Sequence, residues 1–179
     1  LDAGLDWAVN DTNRLSFEAG TGRQDTETNP ELTGSDRELR TERERQTVRH
    51  SVAWNDHVTT RSYIQHTELT QNDSSYESTY ERITANTQTV LPLASQLITL
   101  GTQYRKQRSE NPDRGLGASD LERYEIAPFV EHEWFMTDDF ALTTGLRMDR
   151  DENYGTHWSP RVYGVWQAAE QWTVKGGVS

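Results

Sequence analysis

A chain of 179 residues is long enough for one domain with a sizeable core, yet only 32% of this one is hydrophobic and its formal net charge is −11. The 29 acidic side chains against 18 basic ones argue against a nucleic-acid partner, and the lack of cysteine removes disulfides and thiolate metal sites. Six Trp and seven Tyr do not fit a disordered chain, and no run of ~18 apolar residues offers a transmembrane helix.

Strand patterns begin at once. Leu1, Ala3, Leu5, Trp7 and Val9 alternate with Asp2, Gly4, Asp6, Ala8 and Asn10, the period of two that marks a strand with one apolar face. After a turn at Asn10–Asn13, Leu15, Phe17 and Ala19 continue opposite Arg14, Ser16, Glu18 and Gly20. A third run sets Val48, Val52 and Trp54 against Thr47, Arg49 and Ser51, with His50 interrupting the apolar side. The fourth, Val58–Leu69, has no assignable faces, and the fifth, about Arg82–Leu91, is Thr-rich and stops at Pro92, which cannot donate to a ladder. In the sixth, Ile98, Leu100, Thr102 and Tyr104 stand opposite Thr99, Gly101, Gln103 and Arg105. The seventh carries Ala127, Phe129 and Val130 near Glu131 and Glu133 and closes on Trp134 and Phe135. The eighth is the clearest of the later runs, with Phe140, Leu142, Thr144, Leu146 and Met148 facing away from Ala141, Thr143, Gly145, Arg147 and Asp149. Val162–Trp166 and Trp172–Ser179 complete the series.

The connections alternate in length. Tight links fall at Asn10–Asn13, Asn55–His57, Pro92–Gln96, Thr137–Asp139 and Gln167–Gln171. Longer polar excursions fall between them, at about Gly22–Glu44, Thr70–Tyr80, Lys106–Glu122 and Arg150–Thr156. An all-β antiparallel meander with short turns at one rim and long loops at the other predicts a transmembrane β-barrel of the outer-membrane type. A barrel wall needs apolar residues only at alternate positions, which accounts for the low apolar content. Trp7, Trp54, Trp134, Phe135, Phe140, Trp166 and Trp172 lie close to the tight turns, as an aromatic girdle at one membrane interface requires.

Near the C-terminal end the order and spacing become specific. Gly145-Leu146-Arg147-Met148-Asp149, Tyr154-Gly155, Ser159-Pro160-Arg161-Val162 and Trp172-Thr173-Val174-Lys175-Gly176-Gly177-Val178-Ser179 follow one another. Together they resemble the TonB-dependent outer-membrane receptors, in particular the catecholate siderophore and colicin receptors of the ferric enterobactin type. Glu131 and Glu133 before Trp134 fit the same pattern, whereas upstream of about Arg123 only the strand rhythm agrees.

The resemblance implies a barrel of about 22 strands, an N-terminal plug inside it, and a periplasmic TonB complex that reaches a short N-terminal box to supply energy. This sequence departs from that pattern. About ten strands are too few, a plug and a coupling box are missing, and no terminal aromatic residue closes a last strand. We therefore expect residues 1–179 to be a partial receptor barrel domain, an internal fragment of the wall with its export signal removed or outside the segment. The implied surroundings are outer-membrane lipid and lipopolysaccharide. The implied ligand is a ferric siderophore carried as cargo, with no resident cofactor or metal, and colicins are implied as further partners.

Charge complementarity selects candidate ligand contacts. A ferric catecholate is anionic, so arginine and aromatic residues near the long-loop rim are the binding candidates: Tyr104, Arg105, Arg108, Arg123, Tyr124, Arg147 and Arg150. Arg14, Arg49, Arg105, Arg147 and Lys175 stand opposite an apolar face, which puts them in the lumen, where pairing with Glu131, Glu133 or Asp149 is the plainer role. The sign-alternating stretch Arg37–Arg45 reads as a solvated loop. Asp149, Asp151 and Asn153 hint at a calcium loop, but Tyr154 and Pro160 occupy the positions an EF-hand gives to Gly and Glu. The five histidines are scattered, and no nucleophile elbow or triad order marks an enzyme such as an outer-membrane phospholipase. A complete small barrel of about eight to ten strands with an adhesin or structural role is the alternative, and it requires the first and last strands to pair.

Overall fold

The computed structural model describes residues 1–28, 37–73, 76–110 and 120–179. Ten strands follow in order: β1 (Asp2–Ala8), β2 (Asn13–Thr28), β3 (Arg37–Ala53), β4 (Thr59–Asp73), β5 (Tyr76–Leu93), β6 (Gln96–Glu110), β7 (Asp120–Thr137), β8 (Phe140–Asp151), β9 (Gly155–Ala169) and β10 (Trp172–Val178). They make one antiparallel sheet in which each strand pairs only with its neighbours in sequence. The edges, β1 and β10, do not pair with each other. Side-chain oxygens hold the tight turns. Asn10 Oδ1 accepts from the Thr12 and Asn13 N–H groups, and Asn55 Oδ1 accepts from those of His57 and Val58.

Register separates the two faces. Residues directly opposite across an antiparallel pair share a face, so Leu5, Phe17, Val48, Ile64, Ala85, Tyr104 and Ile126 form one continuous row. The parallel row Leu100, Val130, Leu146 and Pro160 lies on the same side. These apolar side chains have nothing above them, and Ile64 is 58% exposed. The other face carries Arg45, Thr67, Arg82, Gln107 and Arg123 in a comparable row. Thr47, Thr67, Ala127 and Asp151 are buried and all belong to this polar face. A sheet that crowds its polar side chains and spreads its apolar ones is curved with the polar face concave. The fourth run now has faces: Tyr63, Gln65 and Thr67 point inward, and Ser62, Ile64 and His66 outward.

The apolar face has bilayer dimensions. Trp7, Trp134, Phe140 and Trp166 mark the short-turn level, and Tyr104, Tyr124 and Trp158 mark an upper level on the same face. Phe135, expected in the girdle, instead pairs with Ala141 on the concave face. Tyr124 and Trp134 are ten residues apart along β7. At ~3.4 Å per residue and a tilt of ~40° that spans about 26 Å of height, matching the apolar band of an outer-membrane barrel. The tilt is visible in the register. Along the row Ser16, Arg49, Tyr63, Asn86, Gln103 and Ala127, the short-turn strand end lies three residues away in β2 (Asn13) but ten in β7 (Thr137). Such a stagger accompanies barrel curvature.

Three expectations change. Most of the long excursions are strand: β2 runs to Thr28, β4 to Asp73 and β6 to Glu110, well above the upper aromatic level. The supposed loop Arg37–Arg45 is the first half of β3 and pairs with both neighbours. There the alternating signs serve cross-strand pairing, as between Arg40 Nε and Asp25 Oδ1 at 3.0 Å. Pro92 does not stop β5 but pairs opposite Leu97, next to the last strand residue. The loop parts at 29–36, 74–75 and 111–119 lie outside the described residues.

Candidate functional site

On the concave face, β6, β7 and β8 bring three arginines to one carboxylate. Arg105 and Arg147 are on β6 and β8, and β7 supplies both Arg123 and Glu125. Glu125 is largely buried and lies 3.8 Å from Arg105 Nη1, 3.9 Å from Arg123 Nη2 and 3.7 Å from Arg147 Nη2. These separations are ionic rather than hydrogen-bonding. The shorter bonds run elsewhere: Arg147 Nε donates to Asp149 Oδ1 at 2.8 Å, and Arg123 Nε donates to Asp151 Oδ2 at 2.5 Å. Arg147 Nη2 also donates to Gln103 Oε1 at 3.2 Å.

The β8–β9 turn closes over this cluster. Asp151 Oδ1 accepts the N–H groups of Asn153 and Tyr154 at 2.9 and 3.1 Å, and Gly155 turns the chain with φ of 77°. That turn sets the Tyr154 ring 5.1 Å from the Arg123 guanidinium, a cation–π distance. Three guanidiniums therefore meet three carboxylates, Glu125, Asp149 and Asp151, and the cluster is close to neutral. It can rearrange its pairs around an incoming anion, but it carries no surplus positive charge to attract one. Among the described residues no group of His, Asp or Glu has the geometry to hold a metal ion.

The seven residues chosen from the sequence divide by face. Arg105, Arg123 and Arg147 point inward and meet at Glu125. Tyr104, Tyr124 and Arg150 point outward, since Tyr104 pairs with Ile126, which pairs in turn with Arg150. Arg108 is also outward and above the upper aromatics, bonded to Asp120 at 2.8 Å and Glu110 at 2.7 Å. Arg108 holds the Asp120 carboxyl below the usual aspartate range by direct hydrogen bonding. Of the other inward cations, Arg49 pairs with Glu18 and Arg161 with Glu131. Sequence reasoning missed Glu125, Asp151 and Tyr154 as site members. The alternation Arg147, Asp149, Asp151 placed Asp151 on the right face, but the convergence of three strands appears only once their register is known.

An antiparallel meander with lipid-scale aromatic levels, apolar outside and charged on its concave side, defines a section of an outer-membrane β-barrel wall. The whole chain, residues 1–179, matches the family described as TonB dependent receptor-like, beta-barrel, and it belongs to that family. The iron-regulated outer membrane virulence protein of Vibrio cholerae serotype O1 is 32% identical over 190 residues, covering 100% of this chain and 29% of that protein. Among solved structures, the siderophore receptor PirA from Pseudomonas aeruginosa superposes with a TM-score of 0.86 at 26% identity, covering 98% of this chain and 32% of that one. A variant of the ferric enterobactin receptor PfeA from Pseudomonas aeruginosa gives the same TM-score, 0.86, at 23% identity, with the same coverage of 98% and 32%; at that identity it speaks for the fold alone. The chain thus spans about a third of the length of these relatives, and it lies in the bacterial outer membrane as they do.

Proposed function

We propose that this chain is part of the wall of a receptor that imports a ferric siderophore of the catecholate class. The observation that carries the proposal is the alignment, along the whole chain, with the iron-regulated protein of Vibrio cholerae. The arginines around Glu125 support an anionic cargo in another way, because guanidiniums held at ionic rather than hydrogen-bonding distance can exchange that carboxylate for anionic oxygens of the chelate. In this reading, segments at the long-loop rim capture the chelate and the concave face passes it inward. A TonB complex supplies the energy by acting on a domain in the lumen that lies outside residues 1–179.

Arg105, Arg123 and Arg147 contribute from within, while Arg108 and Arg150, like Tyr104 and Tyr124, face away from the concave path. The chelate is cargo and undergoes no covalent change at these residues, so the role is transport without catalysis. Lipopolysaccharide surrounds the outward face. The two unpaired edges support the reading of these strands as part of a larger barrel of about 22. A complete small barrel would join β1 to β10.

Uptake of radiolabelled iron by cells that make the complete receptor tests the proposal. Iron should enter from a ferric catecholate and stop when the proton gradient is collapsed. Entry from a ferric hydroxamate instead, or entry indifferent to the gradient, would contradict it.

A further inference from the structure

We propose that the concave face of β2–β5 carries an anion-binding cleft, built by Arg43, Arg45 and Arg82, that takes a compact oxyanion bearing two or more negative charges. Register brings these three side chains together. Gly22, Arg43, Leu69 and Tyr80 stand in one cross-strand row, and Gly20, Arg45, Thr67 and Arg82 stand in the next row on the same face. Gly22 and the short Thr67 leave a cleft of about 440 Å³ between the longer side chains, with the Asp2 carboxylate lying over Gly20 at its edge.

This cleft carries surplus positive charge, as does a second concave cleft nearer the short turns, lined by Arg14, Arg49 and Arg61. The only carboxylate lining the first is Asp2, 3.8 Å from Arg45, and neither Arg43 nor Arg82 has an ion-pair partner among the described residues. The arginines around Glu125 are matched by as many carboxylates. The outward cations Arg23, Arg40, Lys106 and Arg108 are each paired as well. Uncompensated guanidinium forks in a concave, polar site are suited to bidentate binding of paired anionic oxygens. Tyr80 adds a donor, because its oxygen accepts from Gln107 Nε2 at 2.6 Å and its own hydroxyl hydrogen is left for a ligand. The cleft goes beyond the import reading, and a simple anion tests it without any iron chelate.

The receptor that contains this segment, purified in detergent, is titrated calorimetrically with inorganic pyrophosphate at low salt. Arg43→Gln combined with Arg82→Gln should weaken binding about tenfold or more. Gly22→Leu should block the cleft by filling it, since a Cβ at Gly22 meets no atom within 4 Å. Arg40→Gln, on the outward face beside Asp25, should leave binding unchanged, which separates the cleft from overall charge. Heat-modifiable gel migration confirms that each variant is folded. Full affinity in the folded arginine or glycine variant, or no binding by the unaltered receptor, would overturn the cleft, while normal iron uptake in that case would leave the import reading standing. A ferric catecholate that competes with pyrophosphate supports the cleft as a station for the cargo. Undiminished pyrophosphate binding beside the chelate supports the cleft with a phosphate-bearing solute as its occupant.

Discussion

Val130 and Leu146 oppose each other outward, and one step along the same two strands Phe129 and Arg147 oppose each other inward. A single residue therefore decides between hydrocarbon and water. Val130→Arg should destabilise the receptor in lipid vesicles by ~2–4 kcal/mol, as read from denaturant unfolding, because Val130 sits midway between the two aromatic levels. A loss below ~1 kcal/mol would place this residue near an interface rather than at mid-depth. Asp120 offers a test above the membrane. Arg108 lowers its pKa in the folded state, so the pairing contributes fully above the ordinary aspartate value of about 3.9 and is lost as pH falls through the lower folded value. The carboxyl carbon resonance of Asp120 should titrate below 3.9, and Arg108→Gln should move it back up. A titration at the ordinary value with Arg108 intact would contradict the bond.

At the scale of the strand, glycine and aromatic residues interlock on the concave face. The Phe129 ring lies across Gly101, and a Cβ added there would meet that ring and also the Thr87 carbonyl oxygen, at 2.8 Å. Gly101→Ala should cost about 1–3 kcal/mol in unfolding experiments, since a backbone atom blocks the way and cannot swing aside. An unchanged unfolding midpoint would show that β5 and β6 separate more easily than their register implies.

Strands of this kind were legible wherever lipid imposes alternation, as in Leu1–Val9 and Phe140–Met148. They were illegible in Arg37–Arg45, because above the bilayer both faces meet water. Arg43 and Arg45 point inward there, while Arg40, Glu42 and Glu44 point outward, with no apolar contrast between them. The same period of two bears on the site. Adjacent strand residues cannot share a face, so Tyr104 with Arg105, and Arg123 with Tyr124, had to separate. Glu125 as a meeting point, and the cleft at Arg43 and Arg82, depend on register across several strands, which no local pattern encodes.

For the molecule as a whole, the sheet has one layer, and its apolar side chains have no protein partner on their own face. Among the described residues the only fully buried hydrophobic side chain is Ala127, on the polar side. Such a sheet has no reason to hold together in water. In a bilayer the lipid covers the apolar face, the backbone is satisfied strand to strand, and the charged face is left to an aqueous lumen. The stagger of the short turns supplies the tilt that lets such a wall curve.

That claim is tested most directly by nitroxide labels placed one at a time along β6 and β7, from Leu97 to Tyr104 and from Ala127 to Trp134, in the receptor reconstituted in vesicles. Labels at Leu100, Thr102, Pro128 and Val130 should be relaxed by oxygen and shielded from a water-soluble nickel chelate, with the opposite result at Thr99, Gln103, Glu131 and Glu133. Accessibility that fails to alternate with a period of two, or nickel that reaches Leu100 and Val130, would contradict a lipid-facing wall.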